Sequence, residues 1–105
     1  NIPFKTPKIN HVKSNIKKYE LDLHVEKLTP LLSSNEILLE QLKLAEQFID
    51  NALVLNLSEV VLIHGIGDGV LKKALHGFLK NHAMVIRFHN NYSPKYGYGA
   101  TFVTL

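Results

Sequence analysis

The 105-residue sequence contains no cysteine, no tryptophan and a single methionine. Without cysteine there is neither a disulfide framework nor thiolate chemistry, so packing must hold the fold together, and a reducing compartment is compatible. No apolar run approaches the roughly 18 residues that span a bilayer, and no signal-peptide pattern opens the chain. These absences predict a soluble protein in the cytoplasm, with no membrane partner.

Acidic residues are missing from both ends of the chain. Residues 1–18 carry five lysines and no acid, residues 19–68 hold all nine Asp and Glu, and residues 69–105 carry four lysines and one arginine but no acid. If folding gathers the basic ends, the resulting patch attracts a polyanion. An ordinary solvated surface gives the same counts, so the net charge of +3 leaves both interpretations open.

Length and a hydrophobic content of 46% predict one packed domain. Residues 1–18 include Pro3 and Pro7 and have little periodicity, which is typical of a linker or extended arm, and residues 19–105 form the predicted domain. Because the first residue is Asn1, we expect the chain to be part of a longer polypeptide with further domains.

The apolar pattern predicts the order β-α-β-α-β-β. Ser33 followed by Glu36 is a capping-box signature for the first helix, whose apolar stripe runs to Ala52, and the second helix runs from Val70 to near Asn81. Right-handed crossovers make the first three strands parallel and leave the last antiparallel. We therefore expect an α/β two-layer sandwich with a mostly parallel four-stranded sheet, its strands covering residues 19–25, 59–64, 84–89 and 99–105.

A glycine-rich turn joins the second strand to the second helix. Its sequence is His64-Gly65-Ile66-Gly67-Asp68-Gly69. Spaced glycines at a helix N-terminus leave backbone N–H groups free to meet an anion such as a phosphate. The spacing misses the dinucleotide fingerprint, and no acid follows residue 68 to hold a ribose, so a dinucleotide cofactor is disfavoured.

Three motifs follow one another in order between about Glu20 and Leu105: Leu21-Asp22-Leu23-His24, residues 63–71, and Gly97-Tyr98-Gly99-Ala100-Thr101-Phe102-Val103. Together they resemble the small MutS-related (Smr) domain. The resemblance is closest to the variant at the C-terminus of a bacterial family of uncharacterised longer proteins. It implies an α/β fold similar to the C-terminal domain of translation initiation factor three. It also implies binding to DNA or RNA and, in several members, endonuclease nicking of a phosphodiester with or without a metal.

Asp22, His24 and His64 are the predicted catalytic residues, carried over by position from the family motifs. His24 or His64 acts as general base or acid, and Asp22 orients an imidazole. Polar groups satisfied at strand ends are the structural alternative. The same three side chains are also plausible ligands for one divalent ion, Mg²⁺ or Mn²⁺, although no further spacing motif supports a metal.

Basic and aromatic residues follow the glycine turn. Lysines that meet phosphates and tyrosines that stack on unpaired bases suit single-stranded or structured nucleic acid. Solvated lysines and tyrosines packed on their own hairpin are the alternative. The predicted nucleic-acid-binding residues are Gly65, Gly67, Gly69, Lys72, Lys73, Arg87, Lys95 and Tyr96, with Tyr92 and Tyr98 nearby.

Two positions depart from the family pattern and bear on function. Val25 stands where glycine is usual, and Ile66 stands where a basic residue is common. If the histidines and the turn amides line an open, positive pocket, a nucleic-acid-binding and nicking domain is favoured. If Val25 and Ile66 cap it, a non-catalytic protein interaction module is favoured. A small-molecule phosphate enzyme would need a deep pocket.

Overall fold

The computed structural model describes residues 19–24 and 33–105. The predicted arm at residues 1–18 and the departure at Val25 lie outside the described residues. No described helix is long and apolar enough to cross a membrane. The strands are β1 (Tyr19–Asp22), β2 (Glu59–Ile63), β3 (Arg87–His89) and β4 (Ala100–Thr104), and the helices are α1 (Ser34–Val54) and α2 (Val70–Lys80).

The four strands form one mixed sheet in the order β1-β2-β4-β3. β1 pairs with β2 in parallel, and β4 pairs antiparallel with both β2 and β3. The first three strands thus point the same way, but the prediction of a mostly parallel sheet is not confirmed. The reason is that β4 returns into the centre and separates β3 from β2, so two of the three pairings are antiparallel.

Both helices contribute to one hydrophobic core on one side of the sheet. Alternation along β2 places Val60 and Leu62 on the core side, and both are buried. The buried cluster combines residues of the sheet with residues of α1 and α2, and the helices also contact each other. The result is a two-layer α/β arrangement. The buried cluster consists of Leu23, Ala45, Phe48, Ile49, Ala52, Val60, Leu62, Leu75, Leu79 and Val103.

The start of α1 confirms the predicted capping box. Ser33 accepts a hydrogen bond from the backbone N–H of Glu36, and the Glu36 carboxylate accepts one from the backbone N–H of Ser33. The third strand is shorter than predicted because Met84 lies in a turn, where its backbone N–H donates to His82 Nδ1. Ile86 still donates its N–H to Thr104, so the chain joins the sheet edge one residue before Arg87.

Candidate nucleic-acid site

Asp22 and His24 form a hydrogen-bonded pair where β1 ends. Asp22 Oδ1 lies 2.5 Å from His24 Nδ1 and accepts the backbone N–H of His24 at 3.0 Å. Because a carboxylate oxygen accepts, Nδ1 carries the hydrogen and Nε2 of the neutral ring keeps its lone pair. Between them, buried Leu23 donates its N–H to Ile63 and accepts from the buried side-chain amide of Gln41 at 2.7 Å. The pair is thus attached to both the sheet and α1.

The glycine turn adopts a backbone that favours glycine. Gly65, Gly67 and Gly69 have φ of 77°, 40° and 85°. At Gly65 a second constraint applies, because an added Cβ would lie 3.2 Å from His24 Nε2. His24 Nε2, the ring nitrogen that is not bonded to Asp22, therefore faces the backbone of the turn.

Several backbone N–H groups of the turn donate to nothing in the described part of the chain. His64 and Gly65 both donate to Gly99 O at 2.9 Å, and Val70 donates to the Asp68 carboxylate at 3.1 Å. No acceptor within residues 19–24 and 33–105 meets the four amides between them. Such groups beside a helix N-terminus provide donors for an anion. They belong to residues 66, 67, 68 and 69.

An open cleft of about 650 Å³ lies between this turn and the start of α1. His24, His64 and the turn line it on one side, and Ser34 and Asn35 of the first turn of α1 line it on the other. Two helix N-termini thus border the cleft, and each contributes partial positive charge. No described lining residue is lysine or arginine, so among the described lining residues partial positive charge comes from backbone N–H groups and helix dipoles.

The cleft walls are largely apolar. Ile66 is 68% exposed and lies on the rim without closing the cleft. Asp68 adds a carboxylate on the same side. The cleft is therefore open, but it combines polar groups at the histidines with aliphatic walls. The apolar lining residues are Leu23, Ile37, Leu38, Ile66, Val70 and Leu71.

His64 is buried at 8% exposure, and both of its ring nitrogens have partners. Nδ1 lies 2.7 Å from Gly65 O, and Nε2 lies 2.9 Å from Thr101 Oγ1. Burial lowers the pKa of His64 below its usual value, with Lys72 and His24 acting in the same direction, while the bond to Gly65 O opposes them. His64 therefore has no nitrogen available to exchange a proton with a substrate.

The first turn of α2 brings two of the predicted cations close to the glycine turn. Lys72 is half-buried, and its Nζ donates to Asn90 Oδ1 at 3.2 Å. Lys73 is exposed. Arg87 lies elsewhere, because it pairs with Thr104 beside Glu59, at the opposite end of β2 from the turn. The predicted basic residues do not form one surface.

The loop between β3 and β4 carries the remaining predicted residues. Lys95 Nζ lies 3.8 Å from Glu20 Oε2 and 5.2 Å from the centre of the Tyr96 ring. Burial and the Glu20 carboxylate raise the pKa of Tyr96, whose side chain is half-buried and not an open stacking surface. Tyr92 and Tyr98 are 64% and 58% exposed and meet edge to face at 5.5 Å.

Sequence reasoning missed three functional neighbours. Gln41 holds the Leu23 carbonyl, and its polar side chain within the apolar stripe of α1 was the available signal. Thr101 lies within the family motif at residues 97–103, but its place in that motif does not indicate a contact with His64. His76 Nε2 lies 2.8 Å from Thr101 Oγ1, and nothing in its spacing indicated that contact.

The alternative of a metal held by Asp22, His24 and His64 gains no geometric support. Among residues 19–24 and 33–105, no three His, Cys, Asp or Glu side chains are arranged to hold a metal ion. His24 Nδ1 is already bonded to Asp22, and both His64 nitrogens are occupied.

Comparison with protein families identifies one domain, and the matched residues include the glycine turn and residues 97–103 but not Asp22 or His24. The Smr domain model matches residues 38–105. This chain belongs to the Smr domain family. Endonuclease MutS2 of Clostridium botulinum (strain Eklund 17B / Type B) is 34% identical over 102 residues, covering 96% of this chain and 13% of that protein. Endonuclease MutS2 of Streptococcus uberis is 43% identical over 68 residues, covering 63% and 8%. The Smr chain thus spans a small part of these relatives.

Solved Smr structures share the fold. The Smr domain of Thermus thermophilus MutS2 matches with a TM-score of 0.67 and 31% identity, covering 83% of this chain and 96% of that one. YdaL, a stand-alone small MutS-related protein from Escherichia coli, matches with a TM-score of 0.64 and 22% identity, covering 88% and 70%. The second match concerns the fold alone.

Proposed function

We propose that this Smr domain binds nucleic acid and nicks its phosphodiester backbone, with His24 as the proton-transfer group. The observation that carries the proposal is the position of His24 Nε2, fixed through Nδ1 by Asp22 and facing the backbone of Gly65. The name endonuclease, given to the MutS2 relatives, supports the reaction class.

The glycine turn supplies the phosphate-binding part of the proposal. Four successive amides from Ile66 to Gly69 have no acceptor in the described residues, and the first turns of α1 and α2 border the same cleft. A phosphate there is held by neutral donors and helix dipoles. Because backbone donors hold the phosphate, phosphate binding does not require the basic residue that is common at the position of Ile66.

His24 performs the proton transfer. Nε2 takes the proton of an attacking hydroxyl, from water or from a ribose, as its oxygen bonds to phosphorus. The bond from phosphorus to the leaving oxygen breaks, and the proton passes to that oxygen. Asp22 fixes the ring tautomer and stabilises the transient imidazolium, in the same logic as the carboxylate of a catalytic triad. His64 has a positioning role and not a proton-transfer role, because both of its ring nitrogens already have hydrogen-bond partners.

A panel assay tests binding and cutting separately. Purified protein is titrated with labelled single-stranded, double-stranded, nicked and hairpin forms of DNA and RNA, without metal and with Mg²⁺ or Mn²⁺. We expect binding of at least one unpaired or structured form and nicks that depend on His24. Absence of binding to every form would refute the proposal, and binding without any cutting would reduce it to a binding domain.

The apolar walls of the cleft favour a second candidate, a non-catalytic protein interaction module. Leu23, Leu38 and Leu71 are among the aliphatic lining residues, and such surface suits a partner side chain. Replacing Ile66 with lysine separates the two candidates. Nucleic-acid affinity rises if the cleft takes phosphate, whereas affinity for a protein partner falls if the cleft takes apolar side chains.

Other expectations from the sequence are also proposals. They are the linker character of residues 1–18, the domain boundary at residue 19, attachment to further domains of a longer chain, a cytoplasmic location, and the likeness to the C-terminal domain of translation initiation factor three. The small share of the MutS2 relatives that the chain covers supports attachment to further domains. Superposition on an initiation factor three structure tests the likeness.

A further inference from the structure

Two histidines from different elements share one buried hydroxyl. Thr101 of β4 is fully buried, and its Oγ1 lies 2.9 Å from His64 Nε2 and 2.8 Å from His76 Nε2. His64 follows β2, and His76 lies on α2, where its ring also contacts Phe88 with centroids 4.9 Å apart. The contact therefore joins three secondary-structure elements behind the cleft.

The bonds of this network have one consistent direction when both rings are neutral. A carbonyl only accepts, so His64 Nδ1 donates to Gly65 O and His64 Nε2 is an acceptor. The Thr101 hydroxyl must then donate to His64 Nε2, and its oxygen accepts the N–H of His76. The chain of donors runs from His76 through Thr101 and His64 to Gly65.

This chain orients groups and does not relay protons. It ends on a backbone carbonyl, which takes up no proton at neutral pH. Gly65 also donates its N–H to Gly99 O, so both polar groups of its backbone are held. The residue so held is the one whose backbone faces His24 Nε2 and from which the four free amides continue.

We propose that Thr101 and His76 are positioning residues that fix the tautomer of His64 and, through its bond to Gly65 O, hold the glycine turn in its anion-binding shape. The role of the network in anion binding rests on the proposed nucleic-acid function, whereas its hydrogen-bond geometry does not depend on that function. Lys72 strengthens the same connection, because its ammonium donates to Asn90, whose side chain donates to the carbonyls of Tyr98 and Ala100.

Burial and, to a smaller extent, neighbouring charged groups lower the pKa of both rings and favour their neutral state. His64 faces Lys72 and His76 of α2 and His24 beyond the end of β1, and His76 faces Lys72 and His64. Protonation of His64 Nε2 would remove the lone pair that accepts the hydrogen bond of the Thr101 hydroxyl in this network. Acidification is therefore expected to disorder the turn.

The test compares Thr101→Val, Thr101→Ser and His76→Phe with the control Thr104→Val, which lies on the same strand away from the network. Imidazole ¹⁵N shifts report which His64 nitrogen carries hydrogen, and amide shifts of residues 65–69 report the turn. Affinity for a single-stranded oligonucleotide is measured in parallel. Thr101→Val removes the hydroxyl at nearly constant volume, and Thr101→Ser retains it.

We expect wild type, Thr101→Ser and Thr104→Val to show a single His64 tautomer with hydrogen on Nδ1. In Thr101→Val we expect mixed tautomers, shifted turn amides and about tenfold weaker binding, a factor that equals about 1.4 kcal/mol. If Thr101→Val does not fold, His76→Phe decides, because it removes the donor that directs the hydroxyl toward His64 while keeping a ring against Phe88.

An unchanged tautomer and unchanged turn amides in folded Thr101→Val, or in His76→Phe where the first does not fold, would overturn the positioning role. If wild type binds no oligonucleotide, the proposed function fails, but the nitrogen and amide shifts still decide the role of the network. The two failures are therefore distinguishable.

Discussion

The backbone of Gly65 lies directly against the imidazole of His24, since a Cβ at residue 65 would stand 3.2 Å from His24 Nε2. This contact joins the end of β1 to the turn after β2 within the lining of the cleft. It also makes residue 65 sensitive for two independent reasons, a positive φ of 77° and the adjacent ring.

Replacing Gly65 with alanine is expected to destabilise the protein by about 1–2 kcal/mol, because a left-handed backbone is costly for a residue with a Cβ. The methyl group also displaces the His24 ring, so cleavage falls further than stability alone predicts. Urea unfolding and single-turnover nicking measure the two effects. Gly77→Ala is the matched control, since Gly77 lies inside α2 with open space around it, and should stabilise by up to about 1 kcal/mol. Equal effects at both glycines would contradict this account.

Asp22→Asn removes the charge that holds the His24 ring and stabilises its protonated form. We expect nicking to slow by about 10²-fold, the lower range for loss of effective acid-base catalysis, with oligonucleotide affinity nearly unchanged. Asp50→Asn, on an exposed position of α1, controls for the change in net charge. Asp22→Asn that cuts at the wild-type rate would show that the carboxylate has no part in the reaction.

Stability is expected to fall on mild acidification because of His64 and His76. Burial lowers the pKa of both rings in the folded chain, while the unfolded chain returns to about 6.5. Below pH 6.5 the unfolded state binds more protons than the folded state. The contribution of the two histidines to the free energy of unfolding is therefore fully present above pH 6.5 and is lost as the pH falls toward the pKa values of the folded chain.

Urea unfolding between pH 7.5 and 5.5 measures this effect, and His76→Phe should weaken the dependence. Hydrogen bonds from Ser33 lower the pKa of Glu36 from its usual 4.5. The contribution of Glu36 to stability is therefore lost only below pH 4.5, outside the pH range of this measurement. A free energy of unfolding that does not change between pH 7.5 and 5.5 would count against buried neutral rings.

The salt dependence of binding locates the phosphate-binding surface. Lys73→Gln, beside the glycine turn, should lower the slope of log affinity against log salt by about 0.7 for each phosphate of a single strand that the lysine neutralises. Arg87→Gln removes the same charge at the opposite end of β2 and should leave the slope unchanged. The reverse result would move the binding surface away from the cleft.

Patterns that depend on local chemistry predicted the fold well. The apolar run of β2, the Ser33 and Glu36 pair and the spaced glycines each reflect interactions between near neighbours, and the elements that they predict are present. The position of β4 between β2 and β3 was not predicted, since the order of strands depends on how a long connection returns and leaves no periodic trace.

The candidate site was predicted in its parts but not in its connections. The motifs identified His24 and the turn, which line one cleft, and Asp22, which is hydrogen-bonded to His24. The partners of His64 were not foreseen because Thr101 is 37 residues away in the chain. Arg87 is predicted from its charge and its place near the final hairpin, and neither carries information about which end of the sheet the residue occupies.

The most direct test of the central claim compares His24→Gln with wild type on the best-bound oligonucleotide from the panel, under single-turnover conditions. His82→Gln, at a histidine outside the cleft lining, controls for loss of an imidazole. We predict that His24→Gln cuts about 10²-fold or more slowly while binding with nearly wild-type affinity, and that His82→Gln behaves as wild type. Cleavage by His24→Gln at the wild-type rate would contradict the assignment of His24 as the proton-transfer group.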